Sequence, residues 1–202
     1  MTLLTTTLRK SLTPALVAII AALGSLDASA QKAALKTNLL YDATATINIG
    51  GEVGLAPKWT AELTGNFNNW SVGGHLWKQW MLQPEVRYWL CQRFAGHFFG
   101  AHLLGGQFNF GKVNLPFKFL GTDFSELKDL RRQGWMAGAG IAYGYSWILN
   151  RHWNLEAEIG FGWVYTRSDE FECFDCGKRT KTNIVHNYVG PTKAALNLIY
   201  TF

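Results

Sequence analysis

The sequence is short of charge: Asp, Glu, Lys and Arg make up 16% of its 202 residues. It holds only three cysteines, Cys91, Cys173 and Cys176. After residue 30 it has no apolar run of the roughly 18 residues that a membrane-spanning helix needs. Each shortage excludes something. Three cysteines are too few for a disulfide scaffold. The net charge of +5 is modest and unclustered, which argues against nucleic-acid binding. Cys173-Phe-Asp-Cys176 has no second CxxC and no paired histidines beside it, so it does not complete a zinc site. It is a candidate local disulfide pinning an outer loop, and Cys91 is expected to be unpaired. His97 and His102 fall on opposite faces of one strand and cannot share a metal. His75, His152 and His186 lie in or beside connections. No Ser/His/acid set emerges, so no catalytic residue, metal ligand or cofactor is expected.

What is abundant is glycine and aromatic residues, with 21 Gly, 9 Trp, 7 Tyr and 13 Phe. The two chain ends carry the first positive signals. Arg9 and Lys10 precede an apolar stretch from Leu12 to Leu26, and Ala28-Ser29-Ala30 supplies the small-x-small pattern of a signal-peptidase site. Residues 1–30 read as a cleavable signal peptide, and 31–202 as one domain. Removing residues 1–30 takes away Arg9, Lys10 and Asp27 and lowers the net charge by one. No Cys follows Ala30, so a lipid anchor is not expected. At the other end, Leu198, Tyr200 and the terminal Phe202 share one strand face with Leu196 and Ala194. They form a candidate assembly signal for an outer-membrane barrel.

Between the ends the dominant pattern has period two. From Gly134 to Leu149 one face reads Trp135, Ala137, Ala139, Ile141, Tyr143, Tyr145, Trp147 and Leu149. The other is mostly Gly, Ala and Ser. After Asn150-Arg151-His152 the alternation resumes, with Trp153, Leu155, Ala157, Ile159, Phe161, Trp163 and Tyr165 opposed to Asn154, Glu156, Glu158, Gly160 and Gly162. A soluble barrel would turn its large apolar face inward. Here the opposite face suits a narrow polar interior, so the large side chains face an apolar solvent, which lipid supplies.

Extending this reading predicts an all-β, eight-stranded antiparallel up-and-down barrel. Its strands lie near 35–43, 47–55, 58–68, 79–90, 96–110, 132–149, 152–167 and 188–202. Short links at 56–58, 91–95 and 150–151 alternate with longer ones at 69–78, 111–131 and 168–187, as periplasmic turns alternate with outer loops. The first outer link, near Thr44 to Thr46, is short. The loop from Lys112 to Arg132 carries Leu115-Pro-Phe-Lys-Phe-Leu120 and then mixed charge; it either recognises a partner or caps the barrel mouth. Aromatic residues mark both ends of the strands. Trp59, Tyr88, Tyr145, Trp147, Trp153, Tyr200 and Phe202 predict a periplasmic girdle. Phe67, Trp80, Trp135, Trp163, Tyr165 and Tyr188 predict an outer one. Trp153 and Trp163 are ten residues apart, which at about 3.3 Å per residue and about 40° of tilt spans roughly 25 Å, the height of an outer-membrane apolar band.

Inward parity places Glu52, Glu62, Gln83, Glu85, Arg87, Glu156, Glu158, Lys193 and Asn197 in the lumen. Buried charges must be paired or hydrated, and eight strands leave room for little beyond side chains. A salt-bridge network filling the lumen is therefore favoured over a proton- or cation-conducting path.

The segments Lys36-Thr-Asn-Leu-Leu-Tyr-Asp42, Gln83-Pro-Glu-Val-Arg-Tyr-Trp89, Gly140-Ile-Ala-Tyr-Gly-Tyr145, Trp153-Asn-Leu-Glu-Ala-Glu-Ile-Gly160 and Gly190-Pro-Thr-Lys193 resemble an outer-membrane barrel family of Bacteroidota, domain-of-unknown-function family 3575. The resemblance covers essentially all of the chain after the signal peptide. It implies a small OmpA-like or OmpW-like barrel and no particular chemistry. Some relatives carry a periplasmic peptidoglycan-binding domain. None follows Phe202 here, so wall anchoring is not expected.

Taken together, these features predict an outer-membrane barrel with a plugged polar lumen and a structural or interaction role. The alternatives are a narrow channel or carrier for small or apolar solutes, and a lipid-modifying enzyme, which would need a Ser/His pair on one rim. The expected partners are outer-membrane lipid and, during insertion, the barrel-assembly machinery.

Overall fold

The computed structural model describes residues 33–72, 75–111, 118–119, 122–123, 131–171 and 179–202. The expected signal peptide, most of the Lys112–Arg132 loop, and Cys173 with Cys176 lie outside the described residues. The elements are β1 (Ala33–Asn38), α1 (Leu39–Ala43), β2 (Ile47–Ala56), β3 (Trp59–Val72), β4 (His75–Trp89), β5 (Gly96–Gly111), β6 (Lys118–Phe119), β7 (Thr122–Asp123), β8 (Arg131–Ile148), β9 (Trp153–Phe171) and β10 (Arg179–Thr201). Eight of them close a ring in the order β1-β10-β9-β8-β5-β4-β3-β2, every neighbouring pair antiparallel, while β6 and β7 pair only with each other. Closure matters physically because it removes the unpaired sheet edges that an open eight-stranded sheet would expose.

The ring is uneven, from six residues in β1 to 23 in β10. The first strand is shorter than its expected span of 35–43, and its reason is Asn38. That side chain accepts the N–H groups of Leu40 at 3.1 Å and Leu196 at 3.2 Å, and donates to the Ala194 carbonyl at 3.2 Å. It thus caps α1 and continues the ladder to β10 by one step. Asp42 fastens the turn, accepting from Thr37 Oγ1 at 2.9 Å and Asn48 Nδ2 at 2.7 Å. Leu39 to Ala43 is a helical turn as a result, not the end of a strand.

At the far end from the termini the correction runs the other way. Residues 69–78 are not a long loop: β3 runs to Val72, β4 starts at His75, and Val72 pairs with His75. Trp70 stacks on Trp77 with ring centroids 6.4 Å apart, and Trp77 meets Phe110 at 4.9 Å. Similarly, β9 and β10 extend through much of the expected 168–187 connection.

The links at the terminal end are tight. Asn150 Oδ1 accepts the N–H groups of His152 and Trp153, each at 3.0 Å, closing β8 onto β9. Phe202 N–H donates to the Ala33 carbonyl at 3.0 Å, so the first and last described residues meet there.

Burial is inverted relative to a soluble domain. Ile141 is 72% exposed and Ile47 71%, while Arg87 and Glu156 are 0% exposed. Among the outward aromatics, Trp59 packs at a tilt against Tyr88, Trp153 edge-on against Tyr200, and Tyr145 at a tilt against Trp147 toward the terminal end. Phe67, Trp80, Trp135 and Trp163 are exposed toward the far end. Leu198 and Tyr200 face outward beside Phe202, while Ile199 and Thr201 are buried.

Tyr188, expected in the outer aromatic band, instead turns inward. A register shift between Pro191 and Lys193 inserts one residue into β10. Below it the inward positions are the buried Lys193, Ala195 and Asn197; above it they fall on Gly190, buried, and Tyr188, half-buried. One extra residue inverts every side chain beyond it, and Tyr188 packs on Met81, Leu104 and Val164.

Candidate functional site

The lumen is built in layers by the inward residues of the eight strands. Its terminal end is closed by an apolar plug of Trp89, Phe94, Phe98 and Ile199, none more than 2% exposed. Phe94 reaches inward from the β4–β5 link with φ at 64°, a left-handed conformation that costs a bulky residue roughly 1–2 kcal/mol. Its carbonyl is held by Asn154 Nδ2 at 2.7 Å and Ser146 Oγ at 3.1 Å. Trp89 stacks on Phe98 at 4.7 Å and donates its indole N–H to Thr60 Oγ1 at 2.9 Å. Cys91, in the same link, is free and exposed.

Next comes a buried ion network. The Arg87 guanidinium sits 4.4 Å over the Phe98 ring and contacts five carboxylates. Nε donates to Glu85 at 2.7 Å; Nη1 lies 3.0 Å from Glu52 and 3.1 Å from Glu156; Nη2 lies 2.7 Å from Glu62 and 2.6 Å from Glu158. Lys36 Nζ lies 2.5 Å from Glu52 and 2.6 Å from Glu62. Lys193 Nζ lies 2.6 Å from Glu85, 3.1 Å from Glu158 and 3.2 Å from Glu62. Asn197 Nδ2 donates to Glu156 at 2.8 Å, and Thr64 Oγ1 to Glu62 at 2.8 Å. Arginine suits the centre because its planar fork carries five donors and stays charged.

Glycine makes room for this layer. A Cβ on Gly100 would collide with the Glu85 carboxylate, and one on Gly140 would come within 2.7 Å of the His102 ring. His102, 2% exposed, shares a 2.8 Å hydrogen bond with Thr192 Oγ1. Gln83 Nε2 reaches the Thr192 carbonyl at 3.4 Å. Beyond them Met81, Leu104 and Val164 form a second apolar layer, with Met136 and Tyr188 against it.

The structure therefore brings together all nine side chains that parity assigned to the lumen, each buried. Sequence reasoning missed Lys36, His102, Thr192 and the aromatic plug. Lys36 was detectable as a single cation sharing inward parity with Ala34 and Asn38 in a strand that carries no acid. His97 and His102 do lie on opposite faces: His97 is exposed and bonds Tyr143 Oη at 2.6 Å. Among the described residues no group of three or more His, Cys, Asp or Glu could hold a metal ion.

A single polypeptide ring with exposed apolar walls and an ion-filled interior defines a small β-barrel class. Comparison with protein families places the chain more narrowly: residues 16–202 match the protein of unknown function family DUF3575, and the chain belongs to it. Comparison with curated proteins and with solved structures gave no match.

Proposed function

We propose that the protein is an outer-membrane barrel with a closed lumen, serving as a structural or interaction element of that membrane rather than as a pore. The observation that carries this reading is the inverted burial. Contiguous apolar side chains cover the outer wall, far beyond the patches a soluble monomer exposes, and an ion network replaces the apolar core. Lipid on the outside makes the first favourable, and strand closure makes the second tolerable. Two bands of outward aromatics near the strand ends fit the two membrane interfaces. The terminal end would face the periplasm, and the longer far-end hairpins the exterior.

The closed lumen follows from two successive seals, the aromatic plug and the ion layer. The reading is also non-catalytic: the interior histidine among the described residues, His102, is buried between the ion layer and the second apolar layer, beyond reach of a solute. Membrane lipid and the assembly machinery are the partners this reading entails.

Planar-bilayer recording of the refolded full chain tests it. The expected result is no stable ohmic conductance step in molar KCl. Discrete, voltage-independent steps of a water-filled pore would overturn the closed lumen.

A further inference from the structure

The outer wall is not uniformly covered. Toward the far end, β3, β4, β5 and β8 present a row of large residues, with Phe67 paired to Trp80, Trp80 to Gln107 and Gln107 to Trp135. In the next outward row toward the terminal end, Gly65, Gly105 and Ala137 are small, and Leu82 stands between Gly65 and Gly105. A Cβ on Gly105 would meet nothing within 4 Å. The ladder also skips here, since β4 pairs with β5 at Leu82–Gly105 and resumes only at Glu85–His102, across Pro84, which has no N–H to give. The result is an apolar groove of about 540 Å3 between Trp80 and Trp135, walled by Leu63, Leu82, Pro84 and Leu103.

Directly above it, and sharing Trp80, Gln107 and Trp135, lies a wider hollow of about 710 Å3. Among the described residues, its charged lining is Lys78, Arg167 and Arg179 against one carboxylate, Asp169. Asp169 is already engaged, accepting the Asn183 N–H at 2.9 Å and lying 3.6 Å from Arg179. Arg167 is held by a neutral amide, Nε to Asn183 Oδ1 at 2.9 Å. Trp80 is fixed by its indole N–H to Gln107 Oε1 at 3.2 Å. Lys78 on β4 and Arg167 on β9 flank the groove across three strand spacings, roughly 14 Å. An apolar slot, two indoles at its upper edge and excess positive charge above them form one continuous amphipathic site.

We propose that this face binds one phosphorylated glycolipid of the outer leaflet, its acyl chains in the groove at Gly105 and its phosphates between Lys78 and Arg167. A span of roughly 14 Å fits a phosphorylated sugar headgroup better than a single phosphate. The inference rests on the outer-membrane reading above. A soluble peptide would have no reason to seek an apolar slot within the aromatic band, whereas a lipid of that leaflet has its chains at this depth and its phosphates at the level of the cations.

Native mass spectrometry of the full chain, refolded in detergent and checked for a heat-dependent gel shift, tests the site. The probes are a bis-phosphorylated disaccharide lipid, its dephosphorylated form, and inorganic phosphate. One phosphorylated lipid should be retained per chain. Lys78→Gln with Arg167→Gln should weaken it about 30-fold, at about fivefold per cation. Gly105→Leu, which fills open space without a clash, should weaken both lipid forms and leave the gel shift intact. Equal retention of the two lipids, equal retention by Gly105→Leu and wild type, competition by phosphate alone, or a lipid-free dimer seated on this face would each overturn the site while leaving the barrel reading standing. Absence of the gel shift would overturn both.

Discussion

Arg87→Ala is expected to destabilise the folded barrel by about 3–5 kcal/mol, read as a lower urea midpoint in detergent micelles. Arg87 is fully buried and meets Glu52, Glu62, Glu85, Glu156 and Glu158. Removing it leaves those five carboxylates with Lys36 and Lys193 as the remaining cations of the layer. The loss comes from stranding buried carboxylates, not from the net worth of the ion pairs, which desolvation largely offsets. Arg87→Lys keeps the charge but loses the planar fork that serves five partners, so an intermediate loss is expected. A midpoint for Arg87→Ala indistinguishable from wild type contradicts the network as a structural element.

The second large effect is at the plug. Trp89→Ala should cost about 3–5 kcal/mol by the same measurement, the usual range for emptying a buried aromatic site. Trp89 is 0% exposed, stacks on Phe98, and supplies the hydrogen bond to the buried Thr60 hydroxyl. Because Phe98 touches both Trp89 and the Arg87 guanidinium, the two substitutions share a partner and their effects should not add. A double variant whose loss equals the sum of the single losses would separate plug and ion layer into independent units.

The parts of the fold legible in the sequence are those where the two faces of a strand differ in chemistry. In β8 and β9, Gly and Glu alternate with Trp, Ile and Phe, so parity alone assigned Glu156 and Glu158 to the interior. The contrast fades at the far end, where Asn68, Asn69, Lys78 and Gln79 make both faces polar. There the hairpin of β3 and β4 reads as a loop although its aromatic rings pair across the strands. Leu39 and Leu40 continue an apolar pattern and read as strand, because the capping amide of Asn38 works partly through Leu196 and Ala194, more than 150 residues away. Tyr188 was misplaced because a single inserted residue near Pro191 leaves no mark in composition yet inverts the alternation. Most members of the ion network were readable, Lys36 excepted; its connections were not. Lys36 reaches Glu62 and Lys193 reaches Glu85 only because ring closure and register bring β1 and β10 beside β3 and β4.

The proposed lipid site and closed lumen would divide the molecule's chemistry between its two surfaces. Inside, charge is paired and sealed. Outside, the cations Lys78 and Arg167 stand above a break in the apolar wall.

Gel migration of the protein from the outer-membrane fraction, unheated against boiled and with protease added before heating, tests the membrane barrel most directly. The expected result is a folded band that migrates differently from the boiled one and resists protease until boiled, since eight antiparallel strands close one hydrogen-bonded ring. A protein recovered in the soluble periplasmic fraction, with no shift and ready digestion, would contradict the membrane barrel and reverse the meaning of its exposed apolar wall.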